Sequence, residues 1–138
     1  MINGADSDNI EIMKIGFIPI DNRPVCYSLP EMTAKIDSDI EFFLPERTWL
    51  GDLTKYADTE KLFDWLKNLP PLDALIVPLD TVAYGGLISS RRCPDSFDRI
   101  KKRVEDLKEI LHNNGAKIYA FSSIMRISNN NCNEEEKE

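Results

Sequence analysis

Two aspartates stand where predicted strands end, and their carboxylates are the groups in this sequence best suited to chemistry. Asp21 follows an apolar run that closes with Ile20, and Asp80 follows the apolar run 74–79. Glycoside hydrolysis uses a pair of carboxylates, one as acid and the other as base or nucleophile. We therefore predict Asp21 and Asp80 as catalytic residues of a hydrolase-like site for a glycan or another polyhydroxylated small substrate.

The loops around these aspartates carry groups that hold polar ligands. An arginine fork clamps a carboxylate or phosphate, a tyrosine stacks on a sugar, and paired glycines let a ligand approach the backbone closely. The predicted substrate-binding residues are Arg23, Tyr84, Gly85, Gly86, Arg91, Ser122 and Arg126. A structural interpretation stays open beside this one, with a salt-bridged turn at Arg23 and a tight turn at residues 84–91.

Arg126 lies between the apolar residues Met125 and Ile127. Burying an unpaired guanidinium group is costly, so we expect an acidic partner or an anionic ligand for it. Asp21 and Asp80 are the candidate partners. A structural ion pair and a ligand clamp are equally consistent with the sequence.

Metal and cofactor motifs are not found in the sequence. The phosphate-binding patterns GxxxxGK[ST] and GxGxxG are both missing, and the sequence names no cofactor. The three cysteines, Cys26, Cys93 and Cys132, form no CxxC pair and are predicted to be reduced thiols. No metal site is predicted, although the two aspartates could hold a divalent cation through oxygen ligands alone.

The charge balance narrows the class of partner. The chain has 138 residues and a net charge of −7, from 24 acidic and 17 basic residues. Nucleic-acid binding draws on basic surfaces, so this balance argues against it. No apolar run approaches the ~20 residues that cross a bilayer, and the polar start lacks the features of a signal peptide. We predict a cytoplasmic protein, with no membrane partner, that binds a small polar or anionic ligand.

The elements that must position these residues alternate along the chain. Predicted strands cover residues 14–20, 40–44, 74–79 and 117–121. Predicted helices cover residues 28–36, with Ser28 as cap and Pro30 in the first turn; residues 59–69, capped at Asp58; and a long segment from residues 94–96 to Gly115. The long helix shows an apolar stripe formed by Phe97, Ile100, Val104, Leu107 and Leu111.

This alternation predicts an α/β fold with a parallel sheet of about four strands and right-handed crossovers. A Rossmann-like open sheet and the first half of a β/α barrel both fit. Residues 1–127 are predicted to form a single α/β domain, and residues 128–138 an acidic disordered tail. An open fourth strand leaves room for a second copy, so a homo-oligomer is possible.

Four stretches resemble a bacterial family without an assigned function, domain of unknown function 4127. They are residues 18–27, 50–62, 79–91 and 119–127. The resemblance implies a bacterial origin and a chain that is the N-terminal part of a longer architecture. It brings no settled reaction, so two alternatives to the hydrolase stay open. One is a non-catalytic domain that binds an anionic metabolite or a partner chain, and the other is an inactive truncated product.

Overall fold

The computed structural model describes residues 11–124 and shows a four-stranded parallel sheet. The strands are β1 Met13–Phe17, β2 Ile40–Phe43, β3 Ala74–Pro78 and β4 Lys117–Phe121, in the order β2-β1-β3-β4. The helices are α1 Pro24–Ala34, α2 Thr59–Lys67, α3 Leu79–Tyr84 and α4 Phe97–Asn114. Two short 3-10 turns cover Arg47–Trp49 and Ser89–Arg91. The predicted α/β class is confirmed.

The strand order decides between the two predicted architectures. In a β/α barrel each strand lies beside the preceding one, whereas here β3 lies beside β1 and β2 lies on the far side of β1. The sheet is therefore open, and the winding direction reverses between β1 and β3. Ligands of open parallel sheets bind at such a reversal, beyond the carboxyl ends of the strands.

The helices cover the two faces of the sheet unequally. Right-handed crossovers place α1 on one face and α2 and α4 on the other. On the α2 face, Gly16 and Leu75 are neighbours in register, and a Cβ on Gly16 would lie 2.6 Å from Leu75 Cδ1. Leu72, at the end of the α2 connection, approaches the same point at 2.7 Å. The main core therefore lies between the sheet and helices α2 and α4.

The first helix begins earlier than predicted. It starts at Pro24, not at Ser28, and it contains Pro30 in its interior. Proline suits the first helical position because its missing N–H would be unpaired there in any case, so Pro24 and not Ser28 marks the start. The first strand also ends earlier, at Phe17, before the Pro19 that has no ladder hydrogen bond to donate.

Helix α3 was missed by the sequence reasoning, which treated residues 80–92 as a loop. Asp80, Thr81, Val82 and Ala83 are all buried, so this short helix has no polar face and no helical period for a pattern to reveal. It ends at Gly85, which adopts a left-handed conformation with φ 88°. Asp80 therefore lies in the first turn of a helix and not in a flexible loop.

The predicted stripe of α4 was wrong at two positions. Leu107 is buried, but Phe97 is 77% exposed and Val104 is 48% exposed. Arg103 takes the inner side instead, where its guanidinium donates to the carbonyl of Ala83 at 2.9 Å and pairs with Asp95 at 2.7 Å. The inward face of α4 therefore carries Arg103, which binds the C-terminal end of α3, where the sequence predicted apolar residues.

The Arg103–Asp95 pair should contribute measurably to stability because both side chains are largely buried, at 15% and 18% exposure. We expect Arg103→Met to lower the free energy of unfolding by about 2 kcal/mol, less than the loss for a fully buried pair. Arg99→Met is the matched control, because Arg99 contacts the same carboxylate at 3.1 Å but is 63% exposed. Urea unfolding should show a control loss of about 0.5 kcal/mol. Equal losses in Arg103→Met and Arg99→Met would contradict a larger contribution from the buried Arg103–Asp95 pair.

Among the helices of residues 11–124, none is long and apolar enough to cross a membrane. The cytoplasmic location stays a prediction.

Candidate site at the carboxyl ends of the strands

The ends of β1 and β3 meet at one edge of the sheet. The Thr81 hydroxyl, next to Asp80, donates to the carbonyl of Ile20, next to Asp21, at 2.8 Å. Gly86 lies against the same carbonyl, which would be 3.8 Å from a Cβ placed on this glycine. Asp21 is 4% exposed and Asp80 is 3% exposed. Two buried carboxylates therefore follow the two strands between which the winding reverses.

Asp80 is held from the end of β4. Its Oδ2 accepts the backbone N–H of Ser123 at 2.8 Å, and the Ser122 hydroxyl approaches its two oxygens at 3.3 and 3.4 Å. The serine contacts are longer than the 2.5–3.0 Å of a strong hydroxyl hydrogen bond. Within residues 11–124, no lysine or arginine forms a salt bridge with Asp80. The carboxylate thus retains acceptor capacity for a further donor.

Asp21 has a different environment because Arg23 folds back onto it. The guanidinium donates to Oδ2 from Nε at 2.8 Å and from Nη2 at 2.6 Å, and the Arg23 backbone N–H donates to Oδ1 at 3.0 Å. Burial alone would raise the pKa of Asp21, but the hydrogen bonds from Arg23 and from the Cys26 thiol outweigh it, and the pKa is lowered. Asp21 is therefore a carboxylate that keeps its charge and positions Arg23.

Cys26 is a member of this cluster that the sequence did not single out as a site residue. It lies in the first turn of α1, where a thiol often ionises readily. Here burial and the neighbouring Asp21 raise its pKa. The raised pKa keeps the thiol protonated, so Cys26 is poorly suited to be a nucleophile. Cys93 is also a free thiol, as predicted for the cysteines, and Cys132 lies outside the described residues.

The lowered pKa of Asp21 predicts a pH dependence of stability. The folded value lies below the ordinary 3.8, so the charged form stabilises the fold above that pH. This contribution is lost as the pH falls through the folded pKa. We expect Asp21→Asn to reduce the loss of unfolding free energy between about pH 5 and pH 2. Urea unfolding across this range measures how the free energy of unfolding changes with pH, and the exposed control Asp64→Asn should show the wild-type dependence. The same dependence in Asp21→Asn and the wild type would contradict a stabilising Asp21–Arg23 ion pair.

A segment between β2 and α2 ties the site loops together. Gly51 accepts the backbone N–H of Asn22 at 2.9 Å, and Ala57 donates to the carbonyl of Gly85 at 2.8 Å. A Cβ on Gly51 would lie 2.5 Å from the carbonyl oxygen of Gly85. Gly51 is thus a contact point between the loop after β1 and the end of α3. The sequence marked this glycine only through the family resemblance.

Arg47 is a second residue near the site that the sequence reasoning did not select. Its Nε donates to the carbonyl of Asn22 at 2.8 Å, and its guanidinium lies over the Tyr27 ring at 5.6 Å from the centroid. It therefore places a second cation beside the loop that carries Arg23. Arg47 lies in the connection between β2 and α2 without a neighbouring motif, so the surrounding sequence did not indicate that it lies near the site.

Of the remaining predicted substrate-binding residues, Gly86 lies at the meeting point of β1 and β3, and Tyr84 does not. Tyr84 lies on the wall of a cavity of about 200 Å³ with Tyr56 and Pro94, and neither Asp21 nor Asp80 lines this cavity. Gly85 and Gly86 both have positive φ, which supports their structural role in the turn. Arg91 is half-buried and already engaged in an interaction of its own. Arg126 lies outside the described residues.

Metal ligands are not grouped in the part of the chain that the structure describes, where no cluster of three or more histidine, cysteine or acidic residues is found. A larger cavity of about 430 Å³ lies between α2 and α4 and is lined by both acidic and basic side chains, including Asp64, Lys67, Arg99 and Asp106. This second cavity lies at the helix layer and does not include Asp21 or Asp80.

Comparison with known proteins adds a family to this geometry. A family model described as "Protein of unknown function (DUF4127)" matches residues 15–138. The chain belongs to the DUF4127 family. No curated protein and no solved structure matches it. The DUF4127 match spans Asp21, Asp80 and the tips of all four strands, so the whole candidate site lies within the family region. The bacterial origin and the longer architecture stay predictions.

Proposed function

We propose that this DUF4127 chain binds a small polyhydroxylated ligand, such as a glycan fragment, in the crevice between the ends of β1 and β3. The observation that carries the proposal is the environment of Asp80. This carboxylate is buried, it has one strong hydrogen bond from Ser123, and its other contacts to the Ser122 hydroxyl are long. A ligand hydroxyl that replaces the serine would form a shorter hydrogen bond with the same oxygens.

The neighbouring residues suit the same ligand. Ser122 is exposed, so it lies between Asp80 and solvent and marks the direction from which a ligand would approach. The Arg23 side chain is 41% exposed and uses Nε and Nη2 on Asp21. Its Nη1 is therefore the guanidinium nitrogen directed away from that pair, and it is available to a hydroxyl or an anionic substituent.

Hydrolysis of the bound ligand is the catalytic form of this proposal. Asp80 would be the general base or nucleophile, because no basic side chain of residues 11–124 forms a salt bridge with it. Asp21 is less suited to proton transfer, since its ion pair with Arg23 lowers its pKa. In this scheme Asp21 fixes Arg23, which orients the substrate. The pair of carboxylates therefore has two different roles.

A second candidate, non-catalytic binding of an anionic metabolite, is favoured by the basic groups at the loop after β1. Arg23 and Arg47 flank Asn22, whose carbonyl accepts from Arg47 at 2.8 Å. Two guanidinium groups at one loop favour a carboxylate or phosphate. This candidate predicts binding without turnover.

The test is a library screen against the 138-residue chain that records binding and product release separately. Neutral oligosaccharides and sugar phosphates form the library, with ligand-observed NMR for binding and detection of new reducing ends for hydrolysis. Retained binding of a neutral sugar supports the proposal, and product release supports its catalytic form. Binding of sugar phosphates alone would favour the second candidate. Failure of every polyhydroxylated compound to bind would contradict the proposed function.

A further inference from the structure

The sheet face that carries α1 is only half covered by the elements of residues 11–124. Register places Phe17, Ile76 and Tyr119 side by side on this face, because Gly16 and Leu75 point to the α2 face. Tyr27 fastens α1 to the end of β2 through a hydrogen bond to Pro45 at 2.9 Å. On β4 the side chains of this face stay open, with Tyr119 49% exposed and Phe121 44% exposed.

Helix α1 carries a second apolar surface that does not pack on its own sheet. Val25, Leu29 and Met32 recur at intervals of four and three residues, so they form one stripe along the helix, and Ile36 follows in the turn after α1. They are 55–85% exposed. Tyr27, which packs inward, is about half a turn away from this stripe. The helix is therefore apolar on its outer side as well as on its inner side.

We propose that two copies of this chain form a dimer in which the outer stripe of each α1 covers the open half of the partner's sheet. The exposed stripe and the open half-sheet are adjacent parts of one surface. A twofold axis between the two α1 helices therefore covers the exposed stripe and the open half-sheet of each copy at once, as an isologous interface requires. The resulting dimer has a layer of two α1 helices between two sheets, with each α1 buried on both sides.

Size and charge agree with a second copy as the occupant. At about 200 Å² for a fully exposed large side chain, the six exposed residues offer on the order of 700 Å² per copy, close to the roughly 800 Å² per partner of a stable interface. The one charged residue of α1, Glu31, is paired with Lys35 at 2.7 Å. The centre of the surface is therefore uncharged, so the net charge of −7 does not oppose association there. Lys117, at 5.2 Å from the Tyr119 ring, adds a polar rim.

Sedimentation equilibrium over a concentration series of the full chain tests the proposal. We expect twice the chain mass of 15.8 kDa. Leu29→Lys and Tyr119→Glu should each weaken the dimer at least tenfold. Phe97→Lys and Val104→Glu are the matched controls, because they change exposed apolar residues on α4, across the sheet, and should leave the dimer unchanged. Circular dichroism confirms that each variant is folded, and Met32→Lys with Phe121→Glu provides a second pair.

Mixing the two variant chains distinguishes this arrangement from other dimers. In a mixed dimer of Leu29→Lys with Tyr119→Glu, one helix–sheet contact is wild type and the other joins opposite charges. We therefore expect the mixture to regain the dimer. Packing of α1 on α1 would be weakened only by Leu29→Lys, and pairing of two β4 edges only by Tyr119→Glu, so neither predicts loss in both variants followed by recovery on mixing. A monomer at every concentration, loss of the dimer in the α4 controls, or no recovery on mixing would each overturn the proposal; a monomer would assign the face to a different protein segment.

Discussion

Gly51→Ala is expected to lower the free energy of unfolding by about 3 kcal/mol, at the upper end of what an added methyl group costs in a packed interior. The added Cβ would lie 2.5 Å from the carbonyl oxygen of Gly85 and 2.8 Å from that of Lys55. These neighbours are backbone atoms, so no side-chain rotation relieves the overlap. Thermal or urea unfolding of the purified variant gives the value directly.

Gly115→Ala is the control that separates contact from conformation. Gly115 has φ 75°, but no heavy atom lies within 4 Å of the position that an added methyl group would take. Its substitution should therefore cost only the strain of a left-handed residue, about 1 kcal/mol. Equal losses for the two alanine variants would show that the Gly51 contact does not constrain the fold. Hydrogen exchange of the Asn22 amide, which donates to Gly51, should accelerate only in Gly51→Ala.

Asp80→Asn is expected to reduce turnover of any hydrolysed ligand by about 10²–10⁴-fold, the range for loss of a general acid or base. Asparagine retains an oxygen that accepts the Ser123 N–H, so the local fold should persist. Asp21→Asn should reduce turnover less, because Asp21 acts through Arg23 in this scheme. Comparison of kcat and KM for both variants separates the two roles.

Asp106→Asn provides the matched control for charge. It removes one carboxylate from the cavity between α2 and α4, away from the strand ends. We expect its turnover to equal that of the wild type. Equal turnover by Asp80→Asn and the wild type would remove Asp80 from the mechanism, and a comparable loss in Asp106→Asn would place the active site in the helix layer.

Local pattern and the geometry of parallel sheets together made much of the fold predictable from sequence. Near-continuous apolar runs identified β3 and β4, and Gly115 marked the end of α4. The strand order followed from none of these signals, because it depends on which crossovers pack best. The short helix α3 was missed because Asp80 to Ala83 are buried and its exposed residue, Leu79, is apolar, so no polar face reveals a helical period. Phe97 and Val104 were misassigned because Arg103 makes a better inward contact with Asp95.

The candidate site was predictable in position more than in chemistry. Strand ends of a parallel sheet lie at one edge, and this rule brought Asp21, Asp80 and Ser122 together correctly within the described residues. The salt-bridged turn at Arg23, the structural interpretation that the sequence left open, is confirmed, because the turn before Pro24 folds the guanidinium back onto Asp21. The partner of Arg126, for which Asp21 and Asp80 were the candidates, lies outside what the described residues test. Tyr84 was grouped with Asp80, yet the helix directs it to a separate cavity.

Ligand binding in the crevice between β1 and β3 is tested by titrating the isotope-labelled chain with the best ligand of the screen and following two NMR reporters. They are the backbone amide of Ser123 and the side-chain carboxyl carbon of Asp80. If the crevice between β1 and β3 is the binding site, both signals shift with one common dissociation constant, and Asp80→Asn raises the dissociation constant that the Ser123 amide reports. Saturable shifts confined to α2 and α4, with both reporters unmoved, would contradict the account.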